Sequence, residues 1–207
     1  MLDALFPLLC PGCGRRGDPV CATCAELLHP ALPAPPPPGV DAWGAAFAYE
    51  GVAREVVARV KYRGARAAVP WLAEAMVAAL PASTRAIPRL EVVTWAPTSR
   101  ERRRRRGFDP AELLARAVAR RLRARCVGLL ERVPGPPQTG RTGADRRRGP
   151  RYTSCRVGYL TPTAVLLVDD VTTTGATLTA ASAALRDGGA RVVVAITAAR
   201  TPPPRRS

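Results

Sequence analysis

The segment VLLVDDVTTTGATL, residues 165–178, constrains this chain more than any other stretch. An apolar run of this kind reads as a strand buried on both faces, which belongs in a parallel sheet covered by helices. Two adjacent carboxylates, Asp169 and Asp170, stand at its C-terminal end. A loop of small hydroxyl residues with Gly175 follows and runs into a helix predicted over about residues 177–185. Open α/β sheets bind ligands at that edge. Thr172, Thr173, Thr174 and Thr177 offer hydroxyl donors, Gly175 lets backbone N–H groups turn inward, and the helix N-terminus adds a favourable dipole. Such a loop suits a monophosphate. The carboxylates repel that phosphate, so their partners are hydroxyl groups or a divalent cation. A ribose 5-phosphate moiety, with a phosphate at one end and a diol one sugar width away, meets both demands. A DD pair alone caps a strand, and a TTG run alone fills a turn. The complete order of strand, acids, hydroxyl loop and helix carries the reading. No GxxxxGK(S/T) occurs and no GxGxxG follows a strand, which argues against P-loop and dinucleotide sites.

Around this segment the chain divides into four stretches. Residues 1–29 form a cysteine module, 30–40 a stiff proline-rich linker, 41–200 the main domain and 201–207 a flexible basic tail. Within the main domain, residues 42–51 read as a strand or hairpin, 52–62 and 70–80 as helices, and 91–95 as a short apolar strand. A strongly basic loop follows Pro97. In DPAE, Asp109 suits a cap, Pro110 the first helical turn and Glu112 a capping box. Residues 132–151 lack hydrophobic periodicity and read as a long mobile loop. Strand 192–196 completes a strand–helix–strand unit with residues 164–168.

Charge narrows the partners. Lys plus Arg total 32 against 16 acidic residues, a net charge of +16, and the only lysine is Lys61. Phosphorylated metabolites, nucleic acid or anionic lipid fit such a surface. Arg100 and residues 102–106 place six guanidinium groups after the 91–95 strand, on the edge that carries Asp169. They suit pyrophosphate, nucleic-acid backbone or plain solvation. The N-terminus lacks a basic region before its apolar stretch, and no window approaches a membrane span, so a cytoplasmic protein is expected.

Cys10, Cys13, Cys21 and Cys24 form two CxxC pairs separated by seven residues. In a reducing compartment that spacing favours a metal, and four thiolates select structural zinc. Cys126 and Cys155 read as buried or half-buried thiols, and His29 as a surface side chain.

The DDVTTTGAT segment resembles the PRPP-binding motif of type I phosphoribosyltransferases, where PRPP is 5-phosphoribosyl 1-pyrophosphate. With CxxC…CxxC, Lys61 and Gly64, the WAPTSRERRRRRGFDPAELLA segment, Gln138 and Arg146, the wider chain is similar to ComF-type competence proteins. The resemblance implies an α/β, parallel-sheet type I phosphoribosyltransferase fold behind a zinc-knuckle module. It assigns Asp169 and Asp170 to the ribose hydroxyls, and Val171, Thr172, Thr173, Thr174, Gly175, Ala176 and Thr177 to the phosphate loop. It makes Ala96, Pro97, Thr98 and Ser99 a pyrophosphate loop of unusual backbone, assisted by Lys61 or Arg100. Arg141, Arg146 and Arg147 would belong to a flexible catalytic hood. The implied reaction is magnesium-dependent transfer of ribose 5-phosphate to an unidentified nitrogen acceptor. The same resemblance allows an accessory protein that senses PRPP or contacts single-stranded DNA and the DNA-uptake machinery, and a homodimer. The chain departs from the family pattern at Asp109 and Pro110, where asparagine and glutamine are common, and at Gly149, Arg151 and Tyr152.

Overall fold

The computed structural model describes residues 8–62, 65–87, 90–134, 149–155 and 164–203. Its centre is a parallel sheet of five strands in the spatial order β1-β7-β6-β2-β3. These are β1 (Ala42–Ala48), β2 (Leu90–Trp95), β3 (Arg125–Cys126), β6 (Ala164–Thr172) and β7 (Val192–Arg200). A short antiparallel ribbon pairs β4 (Leu130–Arg132) with β5 (Tyr152–Ser154). Val165, Leu166, Leu167 and Val168 of β6 are fully buried, and each contributes about 1.5–3 kcal/mol relative to exposure. Both faces of the sheet are therefore covered, as an unbroken apolar strand requires.

The helices take their faces from apolar spacing. In α2 (Gly51–Tyr62), Ala53, Val56, Val57 and Val60 are buried at helical intervals. With α3 (Val69–Ala78) and α5 (Pro110–Leu122), α2 covers the face carrying Leu166 and Val168. The opposite face, with Val165 and Leu167, meets Leu178, Ala181 and Leu185 of α6 (Ala176–Asp187). From β6 the chain crosses through α6 to β7, whereas from β2 it crosses through α5 to β3. These crossings lie on opposite faces, so a crevice opens at the C-terminal ends of β2 and β6.

Several expectations need correction. The basic loop after Pro97 is a helix, α4 (Arg100–Arg106). Ser99 caps it by accepting from the Arg102 N–H, and Gly107 ends it at φ 76°, which offsets the absence of any buried residue. Residues 42–48 form one strand parallel to β7 and no hairpin of their own. Strand β6 runs four residues beyond Val168, because β7 pairs with it as far as Thr172. Of the stretch 132–151, expected as a loop, residues 135–148 lie outside the described residues; Arg132, at its start, pairs with Tyr152. Asp109 and Pro110 open α5 as expected, but the Glu112 carboxylate goes to Arg116 at 2.8 Å and Arg103 at 3.2 Å instead of closing a capping box. No cis peptide or positive φ occurs at residues 96–99.

The proline-rich stretch lies on the sheet. Ala31 donates to the Ala46 carbonyl, and Ala48 donates to that of His29. Further along, Ser182 and Arg186 of α6 donate to the carbonyls of Pro38 and Gly39. Short α1 (Ala22–Glu26) belongs to the cysteine module, whose Cys10, Val20, Cys24 and Leu28 join the apolar cluster beside α2.

Gly44 shows how closely α3 is laid on β1. A Cβ there would stand 2.2 Å from the Ala79 carbonyl oxygen. Gly44→Ala is expected to destabilise the fold by about 3 kcal/mol, lowering Tm by roughly 6–12 °C, as thermal unfolding followed by circular dichroism would measure.

Candidate functional site

The crevice at the ends of β2 and β6 encloses about 320 Å³. A larger depression of about 610 Å³, lined by Thr84, Leu90 and Arg125, sits where β2 and β3 begin, away from the ligand-binding edge of such sheets.

Because successive strand residues face opposite sides, the two acids of β6 diverge. Asp170 follows the parity of Leu166 and Val168, toward α2. There Lys61, in the last turn of α2, holds an Asp170 oxygen at 2.8 Å. Asp169 follows Val165 and Leu167 and is 8% exposed. Its Oδ1 accepts the Asp170 N–H at 2.8 Å. Burial, and then the Asp170 charge, push the Asp169 carboxyl well above its ordinary range. Tyr152 of β5 lines the same cleft. Burial and then Asp169 raise its phenol, so it stands protonated beside the acid.

The turn after β2 is fixed by a buried carboxylate. Asp109 Oδ2 accepts the Thr98 N–H at 2.8 Å, and Oδ1 accepts the Ala111 N–H at 3.1 Å. Burial raises the Asp109 carboxyl against these bonds. A single side chain thus caps α5 and pins residues 97–99.

The sequence-derived residues fall into four groups. Lys61, Pro97, Thr98, Asp169, Asp170, Val171, Thr173 and Thr177 all line the cleft. Ser99 serves the α4 cap, Thr174 accepts the Ala176 N–H, and Thr172 is buried with its hydroxyl unpaired. Gly175, at φ 79°, starts α6 beneath Pro37, with Ala176 as the first helical residue. Arg100 lines a neighbouring cleft instead. Arg141, Arg146, Arg147, Gln138 and Gly64 lie outside the described residues.

Arg102 and Arg106, one turn apart on α4, line the carboxylate cleft. So do Tyr49, Tyr62 and Tyr152, three of the chain's four tyrosines. The Arg106 guanidinium stacks 4.5 Å from the Tyr62 ring centre. Sequence reasoning missed their convergence because Tyr49 follows β1, Tyr62 ends α2 and Tyr152 opens β5, far apart along the chain. Their shared position, at or just beyond the ends of elements that point to one edge, was the available signal.

Cys10, Cys13, Cys21 and Cys24 bring their sulfurs within 4.8 Å of one another, a cluster able to hold a metal ion. Cys13 and Cys21 Sγ are 3.7 Å apart, close to the edge of about 3.8 Å for a tetrahedron of metal–sulfur bonds near 2.3 Å. Burial pushes the Cys10 thiol up, yet the N–H groups of Cys21, Cys13 and Gly12 turned on its sulfur bring it down to about 6. Burial lifts Cys24 to about 12. A Cβ on Gly12 would stand 2.6 Å from the Cys24 sulfur, so the knuckle needs a glycine there. Of the remaining cysteines, Cys126 is half-buried, while Cys155 is exposed, contrary to expectation. It stands just past the end of β5, on the ribbon rather than in the sheet. His29 is exposed, as its sequence position implied.

Compared with models of known protein families and with curated proteins, the sequence matches none. No helix among the described residues is long and apolar enough to cross a membrane.

A carboxyl raised above its unfolded value binds its proton more tightly in the folded state, so the fold loses stability as pH rises past the unfolded value of about 3.8. Asp169→Asn is therefore expected to raise stability at pH 7.5, on the order of 1 kcal/mol, with the gain shrinking toward pH 4. Paired thermal melts at the two pH values measure this difference.

Proposed function

We propose that this chain is a ComF-type protein with a type I phosphoribosyltransferase domain, and that its carboxylate cleft binds PRPP. One observation carries the reading: Asp169 and Asp170 share a single cleft with the Thr173–Thr177 side of the loop opening α6, at the ends of β2 and β6. In this reading the 5-phosphate sits at Thr173, Thr177 and the N-terminal end of α6. The ribose diol faces the carboxylates. Lys61, which pairs with Asp170, and Arg102 and Arg106 neutralise the pyrophosphate. The hard oxygen donors of the cleft suit Mg²⁺, which PRPP would carry and which would screen the pyrophosphate charge.

The chemistry asks for positioning more than for a covalent catalyst. The bond from ribose C1 to the pyrophosphate oxygen breaks, and its electron pair leaves with pyrophosphate. A nitrogen acceptor then bonds to C1 and loses a proton to solvent. Asp169 and Asp170 stabilise the positive charge developing on the sugar, while Asp109 keeps the 97–99 turn in place through its bond to Thr98.

Four thiolates in a closed cluster select zinc in a structural role. Zinc supplies folding energy to the cysteine module and stays clear of the cleft chemistry. One zinc per chain is expected by atomic absorption, and Gly12→Ala is expected to lose most of it. Full zinc occupancy in that variant would sink the assignment.

A second reading rests on α4, which buries none of its residues and exposes most of its arginines. It makes the protein an accessory factor that contacts nucleic-acid backbone. Calorimetric titration of PRPP with Mg²⁺ separates the two. Micromolar binding is expected, weakened at least about 100-fold in Asp169→Asn/Asp170→Asn. Binding that survives the double change would overturn the site. Salt-sensitive DNA binding with no PRPP binding would favour the second reading.

A further inference from the structure

Helix α4 serves two clefts from two of its sides. Arg102 and Arg106 face the carboxylates, whereas Arg100 and Arg103 line a neighbouring cleft of about 460 Å³. Arg132 lines both. One pyrophosphate employs only some of these guanidinium groups, so the remainder call for an anion of their own.

The second cleft lies within the roughly 300–1,000 Å³ typical of small-molecule sites. Its cations are Arg100, Arg103 and Arg132. Arg103 is shared with Glu112, while Arg132 has no ion-pair partner among the described residues. Two acids also line it. Glu131 is exposed, and Asp109 already spends both oxygens on the Thr98 and Ala111 N–H groups. The lining carries three guanidinium groups against these two carboxyl groups, so positive charge prevails by one. Part of the lining is apolar. Trp95, half-buried, and Leu130 supply it, with the far edge of the indole close against Gly128, where a Cβ would stand 3.1 Å away. Guanidinium groups grip a phosphate by paired hydrogen bonds, and an indole takes a planar ring by stacking.

We infer that this second cleft binds a phosphate monoester carrying a planar ring, the chemistry of a nucleoside monophosphate. The phosphate lies among Arg100, Arg103 and Arg132, and the ring lies on Trp95. Pro97, Thr98, Asp109 and Arg132 line both clefts, so the two ligands are neighbours. Arg100 and Arg103 line only this cleft and Arg102 and Arg106 only the other, so each ligand has arginines of its own and the two are not expected to compete.

Cys155 provides the reporter, since its exposed thiol lines this cleft and not the other. Alkylation of Cys155 is followed by peptide mass spectrometry on the full, zinc-loaded chain, with Cys126 as internal control. AMP and phenyl phosphate are expected to slow modification of Cys155 saturably, inorganic phosphate to do so more weakly, and saturating PRPP to leave AMP protection intact. Arg103→Gln is expected to weaken AMP about tenfold and to move PRPP affinity less than about twofold. The inference is overturned by absence of AMP protection up to about 5 mM, by competition from PRPP, or by equal loss of both ligands in Arg103→Gln. AMP protection in a protein that does not bind PRPP would sustain this site and sink the proposed function instead.

Discussion

The site depends on a carboxylate that the fold buries and does not neutralise. Asp169 and Asp170 are adjacent in β6, and the pleat sends them to opposite faces of the sheet. Asp170 receives the chain's only lysine, because the buried stripe of Ala53, Val56, Val57 and Val60 sets the rotation of α2 and brings Lys61 to the sheet edge. Asp169 accepts its neighbour's N–H and shares the cleft with Tyr152, but among the described residues no cation pairs with it. A buried charge left in that condition is expensive. Hydroxyl donors or a bound cation would relieve it, so the cleft is costliest to fold where a ligand has most to offer. Natural sequences commonly keep such local conflicts at functional sites.

Asp109 is the companion constraint on the β2 side. Its carboxylate is nearly fully buried and divided between two backbone donors on different elements. An asparagine in its place has one acceptor oxygen and would have to give up one of these bonds or share that oxygen between them. An acid at this position can therefore cap α5 and pin Thr98 together, which an amide could not do with one oxygen for each bond. Burial, and after it the nearby charge of Asp170, raise the Asp109 carboxyl.

Much of this was legible in the sequence where one local rule decided the outcome. The β6 run, the acids behind it, the helix after Gly175, the Asp109–Pro110 start of α5 and the two CxxC pairs each follow from composition within a few residues. The helical state of residues 100–106 was hidden because α4 has no apolar stripe, only a serine cap and a glycine stop. Strand β3 has two residues and no pattern to read. The division of the arginines between two clefts depends on where α4 lies, and the convergence of Tyr49, Tyr62 and Tyr152 depends on topology. Neither has a periodic trace in the sequence.

The proline-rich stretch connects the two legible motifs in a way that composition hides. Pairing of residues 29–31 with β1 fixes where it starts, and the donors Ser182 and Arg186 fix it along α6. Between those anchors Pro37 lies directly over Gly175, where a Cβ would approach the proline ring to 3.1 Å. Gly175 is thus doubly specified: its φ of 79° disfavours a side chain, and the space above it is already filled. Proline suits the covering role because its φ is set in advance, so little conformational entropy is lost when the stretch is laid down. The turn that opens α6 is consequently held from outside by the segment leading away from the cysteine cluster, and its geometry does not have to wait for a ligand.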